Sequence, residues 1–293
     1  MRYVCIAILL ISFNILSTYA KGNDTIITKE RYSETRFGMD YASVNTYNGR
    51  KDTNKIRVLS PSFQYVGKRG FYTNLSLVNV PHAKKLFDEL NTNFGWQHDF
   101  SNDWDANVSF SHFFYDSKVA RINAAISNAL NINLGKDWDV LYTNLDFNID
   151  ASNNKFPYRG KIIAQKSRDV FFDFSNAHEF AYSPSLSNGD SLKIIPKADI
   201  LFGTQNFLVT YRGKTNLADK VYRKDAAKFK LTGYVISASL KYEIKKLTFE
   251  LRPDYFIPKN VPTGESATPF FVMNGAIYFT FKKKKEKHNS KIS

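Results

Sequence analysis

The residues of this 293-residue chain that could do chemistry begin with its histidines and serines. A nucleophilic serine must lie within hydrogen-bond reach of its histidine, and adjacent residues on a strand point to opposite faces. Ser111-His112 therefore does not form a local pair, and His288-Asn289-Ser290 has a suitable spacing but lies in a basic tail. We expect no enzyme, and a barrel hydrolase with a catalytic pair formed across strands is the less favoured alternative.

Carboxylates that share a strand face could act as an acid–base pair. Asp146 and Asp150 are placed in this way, as are Glu250 and Asp254. A wall of solvated polar side chains is the favoured interpretation of both pairs. The sequence has no His/Cys cluster with metal-ligand spacing, and the Asp/Asn ladder lacks the glycine register of a calcium loop. We therefore expect no metal and no cofactor.

The elements that would position these residues are strands, because long segments alternate apolar and polar side chains with a period of two. In segment 141–150, Leu141, Leu145 and Ile149 share one face, and Asp146 and Asp150 share the other. Segments 104–111, 121–134, 247–257 and 271–281 repeat the pattern. Their lengths of about 10–14 residues exceed the roughly five or six common in soluble sheets and suit strands that cross a bilayer.

The polar faces carry too many charges for a dry core. Burying these groups away from water would be prohibitive, whereas a wet interior accommodates them. We therefore predict that they line the lumen of a barrel: Asp146, Lys193, Lys197, Asp199, Lys241, Glu243, Glu250, Arg252 and Asp254.

The fold class predicted from this pattern is all-β: a closed antiparallel transmembrane β-barrel of about twelve strands, with ten to fourteen left open. Closure is expected because an open edge would leave backbone groups unpaired in lipid. The predicted strands are 34–47, 55–66, 70–79, 90–100, 104–116, 121–134, 138–150, 160–182, 191–204, 230–244, 247–258 and 269–281.

The connections between these strands alternate in length, as in barrels with short periplasmic turns and longer extracellular loops. The tight turns are 67–69, 101–103, 135–137, a turn near 188–190, and 245–246. The longer links are 48–54, 80–89, 117–120, 151–159, 205–229 and 259–268. The weakest stretch is 160–190, where Lys166 and Arg168 fall on the predicted lipid face and would have to lie above the membrane.

Aromatic and proline residues refine this barrel. Aromatic side chains at strand ends fit interfacial girdles: Trp96, Phe100, Trp104, Trp138, Tyr242 and Tyr255. Proline costs a ladder hydrogen bond, so we expect Pro61, Pro196 and Pro253 near membrane boundaries or at bulges.

The termini are predicted to lie outside the barrel, which spans 34–281. Residues 1–20 have the positive start, apolar centre and small-residue end of a signal peptide, and 21–33 form a short periplasmic segment. Residues 282–293 form a basic, disordered tail. The formal net charge is +14, but neither a clustered basic face nor a nucleic-acid-binding module accompanies it. We expect no nucleic-acid partner.

The last strand carries a resemblance to a known class. The ending Asn274-Gly-Ala-Ile-Tyr-Phe-Thr-Phe281 resembles the C-terminal strand signal of bacterial outer-membrane β-barrel proteins. Ile195-Pro196, Gly203-Thr204-Gln205-Asn206-Phe207 and Tyr255-Phe-Ile-Pro258 look like segments of Bacteroidetes-type barrels. The resemblance implies location in the cell outer membrane, contact with its lipid, and recognition by the barrel-assembly machinery through the strand that ends at Phe281.

The function favoured by these observations is that of a narrow porin-like passive channel for small polar solutes or ions. The positive net charge suggests a weak preference for anions. A non-conducting barrel serving adhesion or envelope organisation is the alternative. Loop 205–229, with a short helix over about 216–228, is expected either to constrict the mouth or to lie on the surface with its cationic and aromatic residues: Lys214, Tyr222, Arg223, Lys224 and Lys228.

Overall fold

The computed structural model describes residues 33–52, 57–79, 88–100, 103–115, 126–158, 161–182, 190–208, 223–262 and 265–283. Its strands are β1 (Ser33–Ala42), β2 (Thr46–Tyr47), β3 (Arg50–Lys51), β4 (Val58–Val66), β5 (Phe71–Val78), β6 (Glu89–Asp99), β7 (Trp104–Tyr115), β8 (Ile126–Asp137), β9 (Tyr142–Tyr158), β10 (Lys161–Ala177), β11 (Phe180–Tyr182), β12 (Ser191–Gly203), β13 (Lys230–Ile244), β14 (Leu247–Pro258) and β15 (Phe270–Lys283). Helical structure among these residues is limited to short turns at 206–208 and 223–226. No described helix is both long and apolar enough to span a bilayer.

The strands form a closed antiparallel barrel. β1 pairs with β4, the strands from β4 to β10 and from β12 to β15 each pair with the next in sequence, β10 pairs with β12, and β15 pairs with β1. The short β11 continues β10 along the same edge of β12. Leaving out β11 and the separate hairpin of β2 and β3, twelve strands make up the ring. The predicted fold class and strand number are therefore confirmed.

The two ends of the barrel differ in their connections. At one end, here called the turn end, tight turns occupy 67–70, 138–141 and 245–246, β6 ends and β7 begins, and β1 begins and β15 ends. At the other end, here called the loop end, β1, β5, β7, β9, β12 and β14 end and β4, β6, β8, β10, β13 and β15 begin.

Two predicted connections were wrong. The turn expected at 135–137 lies at 138–141, where Asp139 takes a positive φ of 66°. Gly135 lies instead within β8, where the absence of a Cβ leaves room for the side chains of Tyr142 and Asp105. The loop expected at 151–159 belongs mostly to β9, so β9 and β10 form one long hairpin. Lys166 and Arg168 lie in its outer part, beyond Val170.

The three prolines lie inside strands, and each coincides with a gap in one neighbouring ladder, since proline has no N–H to donate. Between β4 and β5 the pairs jump from Leu59–Asn79 to Ser62–Ser76, across Pro61. Between β13 and β14 they jump from Ser237–Asp254 to Leu240–Leu251, across Pro253.

Pro196 lies opposite the break that separates β10 from β11. The proline positions are therefore ladder gaps within strands. The two bulges seen among the described strands lie elsewhere, at Leu201/Phe202 and Ile126/Asn128.

The two faces of the ring differ in polarity. The outward face carries exposed apolar side chains on the barrel strands other than β10, including Phe37, Phe71, Phe94, Phe110, Ile132, Phe147, Ile194, Ile236, Leu251, Phe271 and Ile277. The residues that alternate with these along each strand point inward, and they include polar side chains such as Asp40, Asn93, Asn131, Asp146, Lys197 and Glu250. The chain thus places its apolar surface on the outside of the barrel.

Candidate functional site: the lumen and the mouth of the barrel

The structure brings the nine predicted lumen residues to the inward face of β9, β12, β13 and β14. The cross-strand pairs Lys193–Lys241, Lys241–Glu250 and Ser191–Glu243 fix their register. The charged wall, as we name it, comprises those of the nine that lie on β12 to β14: Lys193, Lys197, Asp199, Lys241, Glu243, Glu250, Arg252 and Asp254.

Ion pairs run along the charged wall. Lys197 Nζ lies 2.7 Å from Asp199 Oδ1, Lys241 Nζ lies 3.6 Å from Glu250 Oε2, and Arg252 Nε lies 3.1 Å from Asp254 Oδ1. The side chains of Lys197 and Arg252 nevertheless remain 43% and 47% exposed. Because they face inward, this exposure is to the lumen. The cationic ends of the wall are therefore in contact with space that water can fill.

A cavity of about 230 Å³ opens beside the charged wall where β14 and β15 meet β1 and β4. Its polar lining includes Asp40, Ser60, Glu250, Arg252, Asn274 and Tyr278. Tyr278 donates a hydrogen bond to Asp40 Oδ1 at 2.5 Å, and Asn274 donates to Asp254 Oδ2 at 2.7 Å. The lining is polar on all four strands and suits small hydrated solutes.

The opposite side of the lumen is built mainly from neutral groups. The amide wall, as we name it, consists of the inward side chains of β5 to β9: Asn74, Asn93, Asn107, Ser109, Ser111, Asn131, Asn133, Asp146 and Asn148. Asp146 accepts hydrogen bonds from Asn131 at 2.8 Å, from Asn133 at 3.3 Å and from Asn148. This predicted lumen residue is therefore held by amides and makes none of the ion pairs seen among the described residues.

Near the loop end, the inward face of four neighbouring strands turns apolar. The apolar collar, as we name it, consists of Leu201, Val235, Phe256 and Val272 on β12 to β15, and all four side chains are buried. Val44 and Phe270 pack against it, and the Phe256 and Phe270 rings stack at 4.8 Å. Since these residues face inward, something inside the barrel must cover them.

Residues 43–52 provide that cover. After β1 the chain turns into the barrel and forms the hairpin of β2 and β3, here called the mouth hairpin, closed by Asn48-Gly49 with positive φ at both residues. Asn-Gly is the residue pair favoured in such turns. Tyr47 packs edge-on against Phe171 and Phe207 at ring distances of 5.7 and 4.7 Å. Phe171 lies on β10, five strands round the ring from β1, so the mouth hairpin reaches across the lumen.

Arg50 fixes the mouth hairpin to three other segments. Its guanidinium donates to Gln205 Oε1 at 2.7 and 3.0 Å, to the carbonyl of Thr232 at 3.1 Å and to the carbonyl of Lys259 at 2.9 Å. Arg50 is 4% exposed and Gln205 is fully buried. A planar fork of donors suits this set of acceptors. Arg50 was not among the residues predicted from the sequence, although Asn48-Gly49 next to it is a recognisable hairpin signal.

The chain after β12 also enters the mouth. Asp169 Oδ1 accepts hydrogen bonds from Thr204 Oγ1 at 2.7 Å and from the Asn206 backbone N–H at 2.6 Å. This fixes residues 204–208 against β10. Phe207, Leu208 and Ala226 then form a second buried cluster with Phe171.

The predicted loop residues are only partly visible. Arg223, Lys224 and Lys228 lie on the exposed side of the 223–228 turn, whereas Lys214 and Tyr222 lie outside the described residues. Within this turn, the hydrogen bond from Lys230 Nζ, 2.9 Å from Oδ2 of Asp225, lowers the pKa of that carboxyl.

The described histidines lie on the outside of the barrel wall or at its turn end. His98 stacks on Trp96 at 5.3 Å, His112 Nδ1 lies 2.8 Å from Asn128 Oδ1, and His178 Nδ1 contacts the carbonyl of Val140. None of these three side chains faces the lumen. Among the residues that the structure describes, no group of three or more His, Cys, Asp or Glu side chains is arranged to hold a metal ion.

Comparison with known proteins gives similarity at the level of architecture. No protein-family model matches the sequence, and no curated protein matches it. The similar solved structures include LpxR from Salmonella typhimurium (TM-score 0.48, 10% identity, 84% of this chain and 100% of that chain) and the NanC porin (0.44, 10%, 84% and 98%). The KdgM porin is also similar (0.43, 8%, 85% and 99%). These structure neighbours are bacterial outer-membrane β-barrels, and at such scores none informs on what this chain does.

Proposed function

We propose that this protein is inserted in the bacterial outer membrane as a transmembrane barrel. Aromatic side chains lie at both edges of the outward apolar face, near the turn end and near the loop end. Examples are Trp104 and Phe114 on β7 and Phe281 and Phe271 on β15. The members of each pair lie about ten residues apart, which at about 3.4 Å per residue and a tilt near 40° gives roughly 25 Å along the axis. That is the height of the apolar band in such barrels, about 25 Å.

Cations accompany the aromatic residues at the turn end. Lys136 Nζ lies 5.6 Å from the Trp104 ring and 5.4 Å from the Trp138 ring, and Lys246 Nζ lies 5.0 Å from the Phe281 ring. Amphipathic rings and snorkelling lysines suit the headgroup level of a bilayer. A mature protein that stayed monomeric and folded in buffer without detergent would contradict this part of the proposal.

Within the membrane the barrel acts as a narrow passive channel for small polar solutes or ions. The observation that carries this function is the charged wall, whose Lys197 and Arg252 side chains stay accessible from the lumen although each is ion-paired. A barrel of twelve strands leaves a modest interior. The mouth hairpin narrows that interior further at the loop end, so permeation is limited to small hydrated species.

The charges on the described inward faces favour cations, contrary to the anion preference suggested by the net charge. Even without the buried Asp150 and Asp169, carboxylates outnumber cationic groups there: Glu34, Asp40, Glu89, Asp99, Asp105, Asp137, Asp146, Asp173, Asp199, Glu243, Glu250 and Asp254 against Arg36, Lys193, Lys197, Lys241, Arg252 and Lys282. Many lysines lie elsewhere, at the turns and on the 223–228 turn. A lumen wall attracts ions of the opposite sign, so a weak cation preference is expected.

Planar-bilayer recording of the refolded mature protein tests the channel. In a KCl gradient we expect small conductance steps. The sign of the reversal potential should show that K⁺ permeates more readily than Cl⁻. Asp199→Asn should shift the reversal potential in the direction of greater Cl⁻ permeability. Asp225→Asn removes a carboxylate from the loop surface and should leave it unchanged. Anion selectivity in the unaltered protein would show that the charge argument is wrong.

A non-conducting barrel is the second candidate, and the mouth hairpin is the observation that favours it. The apolar collar, the Tyr47–Phe171–Phe207 contact and the Arg50 hydrogen bonds together fill one side of the mouth. Proteoliposomes separate the two functions: swelling in small sugars supports the channel. Absence of both swelling and conductance would favour a structural or surface-interaction role.

A further inference from the structure

Two buried carboxylates face each other where the β9–β10 hairpin leaves the apolar band. Asp150 on β9 is the direct cross-strand partner of Asp169 on β10. Asp150 is 6% exposed and Asp169 is fully buried. The outward apolar face ends next to them, at Ile149 and Val170, so the pair lies at the outer boundary of that face and below residues 204–208.

Two buried oxygens beside this pair have no hydrogen-bond partner. Oδ2 of Asp169 and Oγ of Ser152 are buried and have no hydrogen-bond partner, and Ser152 is 3% exposed. Ser152 follows Asp150 by two residues, so both side chains lie on one face of β9. Oδ1 of Asp169 accepts hydrogen bonds from Thr204 and from the Asn206 N–H, and the Phe207 N–H and the Asn206 side chain also interact with this carboxyl group. None of the ion pairs among the described residues includes Asp150 or Asp169.

Like charges directly opposite each other in a sheet are destabilising, and buried charges are normally paired or bound to a metal. A proton shared by the two carboxylates, or a cation between them, would relieve the repulsion. The unpartnered Ser152 hydroxyl favours the cation, because a shared proton would leave this third oxygen unused. Hard divalent cations take such oxygen sets, and Ca²⁺ accepts carboxylates, neutral oxygens and water in flexible geometry.

We propose that Asp150, Asp169 and Ser152 form a Ca²⁺ site at the base of the β9–β10 hairpin. The ion bridges the two carboxylates, with water completing its coordination. Through the bonds from Asp169 to Thr204 and Asn206, it also secures residues 204–208 at the mouth. The site uses two charged ligands and one neutral one, and it does not depend on whether the barrel conducts.

Thermal unfolding of the full mature protein in detergent tests the site. After treatment with EDTA and its removal, saturating CaCl₂ should raise the midpoint by roughly 5 °C, since binding to the folded state stabilises it. MgCl₂ should do less, because Mg²⁺ dehydrates reluctantly. Isothermal titration with CaCl₂ should then show one specific site per chain.

Asp150→Asn is the decisive variant, because Asp150 is not the residue that holds Thr204 and Asn206. It should remove both the titration signal and the Ca²⁺-dependent shift, while its midpoint without Ca²⁺ stays at or above that of the EDTA-treated parent. Asp146→Asn on the same face of β9 removes an equal charge and should keep the shift. A parent protein that does not respond to Ca²⁺, or an Asp150→Asn variant that responds equally, would overturn the proposal.

Discussion

Towards the loop end, the inward side chains of β5 to β9 differ in polarity from those of β12 to β15. On β5 to β9 the polar side chains of the amide wall continue upwards to Ser109, Ser111 and Asn148. On β12 to β15 the polar series stops after Asp199, Ser237, Asp254 and Asn274, and the apolar collar follows at the next inward position.

This difference shows where the lumen is wet and where it is packed. Side chains of the amide wall form hydrogen bonds with one another across neighbouring strands, as in the bond from Asn93 to Ser111 at 2.8 Å, although Oδ1 of Asn74 is buried without a partner. The apolar collar can be stable only under a covering layer, because exposed apolar surface next to lumen water is unfavourable. The mouth hairpin supplies that layer and is therefore tied to one side of the barrel.

Breaking the Arg50 contacts should have the largest effect on this asymmetry. Arg50→Ala leaves Oε1 of the buried Gln205 and the Lys259 carbonyl without their donor, and it removes one of the two donors to the Thr232 carbonyl. We expect a loss of about 3 kcal/mol from the packing of the mouth layer and a several-fold rise in conductance as the mouth hairpin leaves the lumen. Single-channel recording measures the conductance, and hydrogen exchange of the 43–52 amides measures the release.

Two matched variants accompany this test. Arg69→Ala removes an exposed arginine at the turn end and should change neither quantity. Arg50→Lys keeps the charge but not the planar fork, and should fall between Arg50→Ala and the parent. Conductance equal to the parent in Arg50→Ala, with exchange at 43–52 accelerated, would show that the mouth hairpin does not limit permeation.

The second test compares one residue from each side. Phe256→Ala removes a ring of the apolar collar that stacks on Phe270. We expect it to cost about 3 kcal/mol and to speed exchange at 43–52, as measured by urea unfolding and hydrogen exchange. Asn131→Ala removes the donor to Asp146 and Asn148, should cost about 1–2 kcal/mol, and should leave exchange at 43–52 unchanged. Faster exchange at 43–52 in Asn131→Ala would mean that the two sides are coupled.

The barrel itself was predictable because alternation reports directly which face meets which medium. The strands 230–244 and 247–258 were predicted at the bounds that β13 and β14 have. Parity alone assigned the nine charged residues to the polar faces of their strands. Gly135 misled the prediction because glycine serves two purposes: it was read as a turn signal, but in β8 its missing side chain makes room for Tyr142.

The mouth was not predicted, although the sequence holds a usable signal. Alternation fails at Ile200-Leu201-Phe202, Tyr234-Val235-Ile236, Tyr255-Phe256-Ile257 and Phe270-Phe271-Val272-Met273, where both strand faces are apolar. A continuous apolar run indicates a strand covered on both sides. Alternation along a strand does not reveal which residues cover these apolar faces. The contacts of Arg50 with residues 205, 232 and 259 span long sequence separations and depend on the closure of the barrel.

The smallest expected effect concerns Asp225, in the exposed 223–228 turn at the loop end. Its folded-state pKa is lowered, chiefly by the hydrogen bond from Lys230, so its contribution to stability is present above the unfolded-state value of 3.8 and is lost as the pH falls through the folded value. Because the pair is solvent-exposed, the contribution is a few tenths of a kcal/mol. Asp225→Asn should therefore speed exchange of the 223–229 amides slightly at pH 7 and not at about pH 2, after correction for intrinsic rates. An equal difference in exchange rate at both pH values would mean that Asp225 stabilises this turn by packing and not by its charge. The turn would then act as one packed unit with the buried cluster that contains Ala226.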